Sequence, residues 1–130
     1  MRLRALSLAA ALPLAAGCGV SDDRREAREV TEGFYSGVER RDGTAACERL
    51  APPTADALAR QEKESCEQAV VDLPLQGAPI ARVQVFETNA AVRFDDGQVT
   101  FLDRRAGGWK VSAAGCRPRG EAPADCELED

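Results

Sequence analysis

The chain has 130 residues, 17 Lys and Arg against 22 Asp and Glu, five Cys and no His, for a formal charge of −5 at neutral pH. The lack of histidine removes the usual general base and the commonest metal ligand, and with them Ser-His-Asp and Cys-His catalysis and most zinc sites; no cofactor or metal is expected. The acidic balance argues against nucleic acid as a partner, since Arg24-Arg25, Arg40-Arg41 and Arg104-Arg105 are interleaved with acids instead of forming a basic stripe.

Residues 1–17 read as an export signal. Arg2 and Arg4 open it, Leu6 to Ala16 supply an apolar core of about eleven residues, and small side chains precede Cys18. A membrane-spanning helix needs about twenty apolar residues, so a cleaved signal is expected in place of a permanent span. Ala15-Ala16-Gly17-Cys18 fits the bacterial lipobox Leu-Ala-Gly-Cys at three positions, with Ala15 where Leu, Val or Ile is commoner. Cys18 is therefore expected to carry diacylglycerol and to become the new N-terminus. Two or three acyl chains anchor stably, because each buried methylene contributes about 0.8 kcal/mol and one chain alone is marginal. The mature chain keeps 113 residues and a formal charge of −7, with 15 basic against 22 acidic side chains. That is room for one small domain, expected over 24–130, after a lipidated polar tether at 18–23.

Ala27, Val30, Phe34 and Val38 recur at spacings of three and four, which predicts an amphipathic helix from about Arg24 to Arg41. Asp42-Gly43 is its expected stop. Thr44 is placed to cap a short helical turn over Ala45–Ala51, ended by Pro52-Pro53. Thr54 caps the next helix, whose inward residues include Leu58, Cys66, Ala69, Val70 and Leu73, with a break expected in the polar run Gln61–Ser65. Pro74 to Pro79 form a connector.

From Ala81 the period changes to two. Ala81, Val83 and Val85 predict one strand, and Ala90, Val92 and Phe94 a second. Asp95-Asp96-Gly97 signals a hairpin into a third strand, on which Val99, Phe101 and Asp103 share the expected inward parity. Gly107-Gly108 turns into a fourth, with Trp109, Val111 and Ala113 on one face. The fold class is α+β: N-terminal helices on a curved four-stranded antiparallel meander. The tail from Cys116 to Asp130, with Pro118, Gly120 and Pro123, is expected to lie against the last strand without a core of its own.

Cys47, Cys66, Cys116 and Cys126 remain once Cys18 is lipidated, and outside the cytoplasm they are expected to pair. Three connectivities are possible. Cys47–Cys66 and Cys116–Cys126 are favoured because each joins neighbouring elements. No Cys-x-x-Cys occurs, which argues against a redox pair or a zinc ribbon.

Helices followed by a meander that ends in Gly107-Gly108-Trp109-Lys110-Val111 resemble the nuclear transport factor 2-like, cone-shaped α+β superfamily. Val30-x-x-x-Phe34-Tyr35, the run Arg41 to Pro52 around Cys47, then Cys66, Gly108 to Cys116 and Cys126-Glu127 look like small actinobacterial lipoproteins of no settled function. The resemblance implies a conical pocket, used by some members for isomerase or dehydratase chemistry and by many for binding. Phe34, Tyr35, Asp103 and Trp109 are its candidate lining. An enzyme of isomerase or hydrolase type, the less favoured alternative, would use Asp103 as a desolvated acid with Tyr35 as donor. The simpler reading has Asp103 at a strand end facing water or an arginine, Tyr35 closing the core, and Trp109 as a core anchor rather than a stacking platform. No catalytic residue is assigned. The expected function is a membrane-anchored extracytoplasmic lipoprotein that binds a protein partner or a small apolar ligand, with an accessory subunit of an envelope complex as the alternative.

Overall fold

A 21-residue helix, α1 (Gly19–Glu39), opens the computed structural model, which describes residues 19–130. The export signal 1–17 and Cys18 lie outside the described residues. Residues 19–23, expected as a tether, form the first turns of α1. Ala27, Thr31, Phe34, Tyr35 and Val38 are its buried stripe, and the buried Thr31 hydroxyl is satisfied by the Ala27 carbonyl at 2.8 Å. The helix stops at Arg41 and not at Gly43. Arg41 takes φ of 57°, and the amides of Arg41 and Asp42 return to Val38 O and Gly37 O, which caps two of the orphan carbonyls of the last turn.

Three short helices follow: α2 (Gly43–Cys47), α3 (Pro52–Glu62) and α4 (Cys66–Val70). Asp42, not Thr44, caps α2, its Oδ1 accepting from Ala45 N at 3.1 Å. Pro52 and Pro53 begin α3 instead of ending α2. Proline suits a first helical turn, where its missing N–H would have no partner. Thr54 lies inside α3, with its hydroxyl donating to the Ser112 carbonyl at 3.0 Å. The polar run does contain a break, at Lys63–Ser65, where Ser65 caps α4. Gly43 serves close approach. A Cβ there would stand 2.0 Å from the Glu67 carbonyl oxygen, so α2 and α4 touch backbone to backbone. The Cys47–Cys66 disulfide ties the same two helices.

The sheet has five antiparallel strands in chain order, β1 (Ile80–Phe86), β2 (Asn89–Phe94), β3 (Val99–Arg105), β4 (Gly108–Arg119) and β5 (Ala122–Glu129). Four were expected. The tail forms the fifth because β4 runs on past Cys116 and offers its free edge. Cys116 pairs directly with Cys126 across the two strands and is joined to it by the second disulfide. Along the first half of β4, which β5 does not reach, the edge is taken by the α2–α3 connection: Val111 N donates to Arg49 O and Ala51 N to Val111 O, both at 2.8 Å. An edge covered in this way offers no template for another chain.

The helices cover one face of the sheet. Ala90, Val92, Phe94, Leu102, Trp109, Val111, Ala114 and Leu128 meet Phe34, Tyr35, Val38, Leu58 and Val70 there. A smaller cluster of Ala91, Val99 and Cys116, flanked by Phe101, Ala113 and Cys126, lies on the opposite face. The parity expected for β3 is therefore inverted: Thr100 and Leu102 face the helices, while Val99, Phe101 and Asp103 face away. The β3–β4 register shifts twice, between Val99 and Phe101 and between Phe101 and Leu102, with the extra residues on β4. Ala113, expected on the face of Trp109 and Val111, therefore lies on the opposite face, and Ala114 takes the inner place. Such bulges bend a strand and re-aim its side chains.

Candidate functional site

Trp109 is 2% exposed and sits where α1 begins. Its indole N–H donates to Asp23 Oδ1 at 3.3 Å, and Arg104, ion-paired to the other carboxylate oxygen, lies 4.8 Å over its ring. Trp109 thus locks the first turns of α1 to the β3–β4 hairpin. The Arg104 hydrogen bond, with that of Trp109, holds the Asp23 carboxyl below its ordinary value of 3.8 against the opposing effect of partial desolvation. A lowered folded pKa stabilises above the unfolded value and is lost as pH falls through the folded one. Asp23→Asn is accordingly expected to destabilise at pH 7 and to cost progressively less below about pH 4; urea unfolding from pH 7 to pH 2 reads the difference.

Phe34, Tyr35 and Phe94 stack edge to face at 5.3 and 5.2 Å. With Trp109 and Leu58 they fill the space between helices and sheet. Tyr35 is 3% exposed, and its oxygen ends in a closed polar network. It accepts from Gly115 N at 3.1 Å, lies 3.0 Å from Thr100 Oγ1 and donates to Gln98 Oε1 at 3.3 Å. Gln98 in turn donates to Asp96 Oδ2 and to the Gln76 carbonyl, both at 2.9 Å. The Gly115 amide is presented by the β4 bulge, where φ is +63°, a conformation that glycine takes freely. Every buried side-chain polar atom among the described residues has a partner.

Burial raises the Tyr35 phenol above its ordinary 10.0 and Asp96 adds to the rise, while the Thr100 and Gly115 hydrogen bonds oppose it. Tyr35→Phe strands three partners and is expected to lower the unfolding free energy by about 1–3 kcal/mol. A raised folded pKa also means stability that is full below pH 10 and lost as pH rises through the folded value. Wild type is expected to weaken at alkaline pH more steeply than Tyr35→Phe, as denaturant midpoints at pH 7 to pH 11 would record.

Beyond this network the surface opens into a polar cleft of about 240 Å³. Asp96, Gln98 and Gly115 form its floor side, Pro74 to Gln76 one wall, and Arg117, Asp125 and Glu127 of β4 and β5 the other. Three carboxylates face one guanidinium. A shallower groove of about 270 Å³ runs along α1 past Glu32, Ser36 and Glu39 to Gly77, Ala78 and Phe94. No group of three or more His, Cys, Asp or Glu among the described residues is arranged to hold a metal ion.

The four side chains nominated as a pocket lining are thus divided. Phe34, Tyr35 and Trp109 are packed in the core. Asp103 is on the other face of the sheet, where it accepts from Asn89 Nδ2 at 2.9 Å and pairs with Arg105 at 3.1 Å. It cannot act with Tyr35. Sequence reasoning missed Gln98, Thr100 and the cleft. The available signal was Gly115, an isolated glycine within a strand pattern, which marks a bulge or a close backbone approach. Arg117, Asp125 and Glu127 were hidden because the tail carries no alternation.

The class defined by this geometry is an α+β domain with helices on one face of a five-stranded antiparallel meander, a closed interior, two disulfides and an acidic cleft at one end. No protein-family model matches the chain, and no curated protein and no solved structure matches it.

Proposed function

We propose that this protein is an extracytoplasmic lipoprotein, held on the cell membrane by lipid on Cys18, whose domain is a non-catalytic interaction module. Its partner presents a cationic group to the Asp96, Asp125 and Glu127 cleft. The observation that carries this reading is the filled interior: Phe34, Tyr35, Phe94 and Trp109 occupy the space where a cone-shaped fold of the nuclear transport factor 2-like kind would hold a small apolar ligand. The cleft beyond Tyr35 is polar and acidic instead, and the groove that Tyr35 and Phe94 border is a shallow one along α1, rimmed by Glu32 and Glu39. Catalysis by Asp103 and Tyr35 loses its support, because the two side chains lie on opposite faces of the sheet. Among the described residues no helix is long and apolar enough to cross a membrane; the proposed anchor is argued from Cys18 and the lipobox before it.

Metabolic labelling with a fatty acid tests the anchor: label in wild type and none in Cys18→Ala is expected, and unlabelled wild type overturns it. The cleft is tested by cross-linked capture from the native membrane. A partner recovered by wild type and lost by Asp96→Asn/Asp125→Asn/Glu127→Gln, with its unfolding midpoint preserved, is expected. Equal recovery by both proteins overturns the cleft as the binding site.

A further inference from the structure

Val20 and Phe86 are the large apolar side chains left exposed among the described residues, at 52% and 58%. They lie far apart in sequence and at one end of the fold, Val20 on the helix side of the sheet and Phe86, paired with Asn89, on the other side. Val20 is in the first turn of α1, one turn before Asp23. Asp23 pairs with Arg104; Arg104 N donates to Thr88 O at 2.8 Å; and Thr88 belongs to the turn that follows Phe86, the last residue of β1. Gly19, where the described chain meets Cys18, is at this same end.

Charge divides the molecule along the same axis. Beside Val20 and Phe86, basic side chains are matched by acids: Arg104 pairs with Asp23, Arg105 with Asp103 and Arg25 with Asp22, while Arg24 and Lys110 are offset by Glu26 and by Glu87, which follows Phe86. The far end, reached by Tyr35 on α1 and by Gly115 on β4, holds the cleft, where Asp96, Asp125 and Glu127 face Arg117 alone. A domain of formal charge −7 once 1–17 are removed is repelled by anionic headgroups, and least so at its balanced end.

We propose that this end is a bilayer-docking surface: Phe86 and Val20 enter the interfacial layer of an anionic membrane, the paired arginines sit among the headgroups, and the acidic cleft points away from the lipid. The proposal rests on the lipid-anchor reading and adds an orientation to it. An acyl chain on Cys18 alone would leave the domain free to tumble on its attachment. Two apolar contacts beside the attachment point give it a fixed seat, because interfacial burial of apolar area adds to the binding that the acyl chains supply. The consequence is functional: the cleft is held at the side of the domain opposite the membrane, where an extracytoplasmic partner can reach it.

Full chain expressed with its own leader, purified with its acyl group and reconstituted into phosphatidylglycerol-containing vesicles, tests the orientation. Trp109, the one native tryptophan, is buried and supplies a constant background. Phe86→Trp adds a probe at the proposed seat, and Glu121→Trp adds one on the β4–β5 turn at the far end. With lipids brominated in the upper acyl chain, loss of most of the added emission is expected for Phe86→Trp and none for Glu121→Trp. Vesicle-bound, acylated protein in which both probes are quenched alike, or neither is, overturns the docking surface and leaves the anchor standing. Chain that carries no acyl group and stays in the supernatant overturns the anchor reading, and this orientation with it.

Discussion

Trp109→Ala is expected to lower the unfolding free energy by about 3–5 kcal/mol, a large share of the about 5–15 kcal/mol available to a domain of this size. The side chain is among the largest that are fully buried here, so truncation loses its transfer free energy and leaves a cavity between α1 and β4 that the surrounding helices cannot fill. It also removes the N–H that holds Asp23 and the ring beneath Arg104. Urea unfolding followed by far-ultraviolet circular dichroism measures the loss, and Trp109→Phe, which keeps most of the volume, is expected to recover more than half of it. A ligand-stacking tryptophan would behave otherwise. A stability change below about 1 kcal/mol for the alanine variant, within the range of an ordinary surface substitution, would remove Trp109 from the core-anchor role.

Cys47→Ser/Cys66→Ser carries the next largest effect, about 3 kcal/mol in the chain-entropy account of a bridge that closes 19 residues. The reason for placing it above Cys116–Cys126 lies in what each bond holds. α2 and α4 are five-residue helices that have no stability of their own and depend on being pressed together at Gly43. Cys116 and Cys126, ten residues apart, already face each other in a hydrogen-bonded strand pair, so the β4–β5 ladder retains part of their contact after the bond is lost. Denaturant midpoints of the two double variants are expected in that order, and the reverse order would show that the sheet edge, not the helix pair, is the weaker joint.

The same contrast between local and long-range order separates what could be read in the residues from what could not. The stripe through Ala27, Phe34 and Val38 has one solution on a helix, and Asp95-Asp96-Gly97 and Gly107-Gly108 have one solution between strands, so α1, the break after α3 and the hairpins β2–β3 and β3–β4 were legible. Caps were less so. Asp42, Thr44, Pro52 and Thr54 all suit more than one position at a helix end, and the choice among them depends on which backbone groups packing has left unpaired.

What the sequence determined by itself is the α+β class, the helical stripe, the hairpins and the absence of histidine chemistry, because each follows from residue type and near-neighbour spacing. Only the tertiary structure decided the faces of β3, the fifth strand and the cleft. Val99 and Phe101 alternate with Thr100 and Leu102, and either pair satisfies a period of two. The inner face went to Thr100 and Leu102 because Tyr35, 65 positions from Thr100, meets its hydroxyl there and the bulge at Gly115 supplies the third partner. The tail became β5 because the edge of β4 was free and Cys126 was opposite Cys116. Those are contacts across the fold, and neither local propensity nor periodicity contains them.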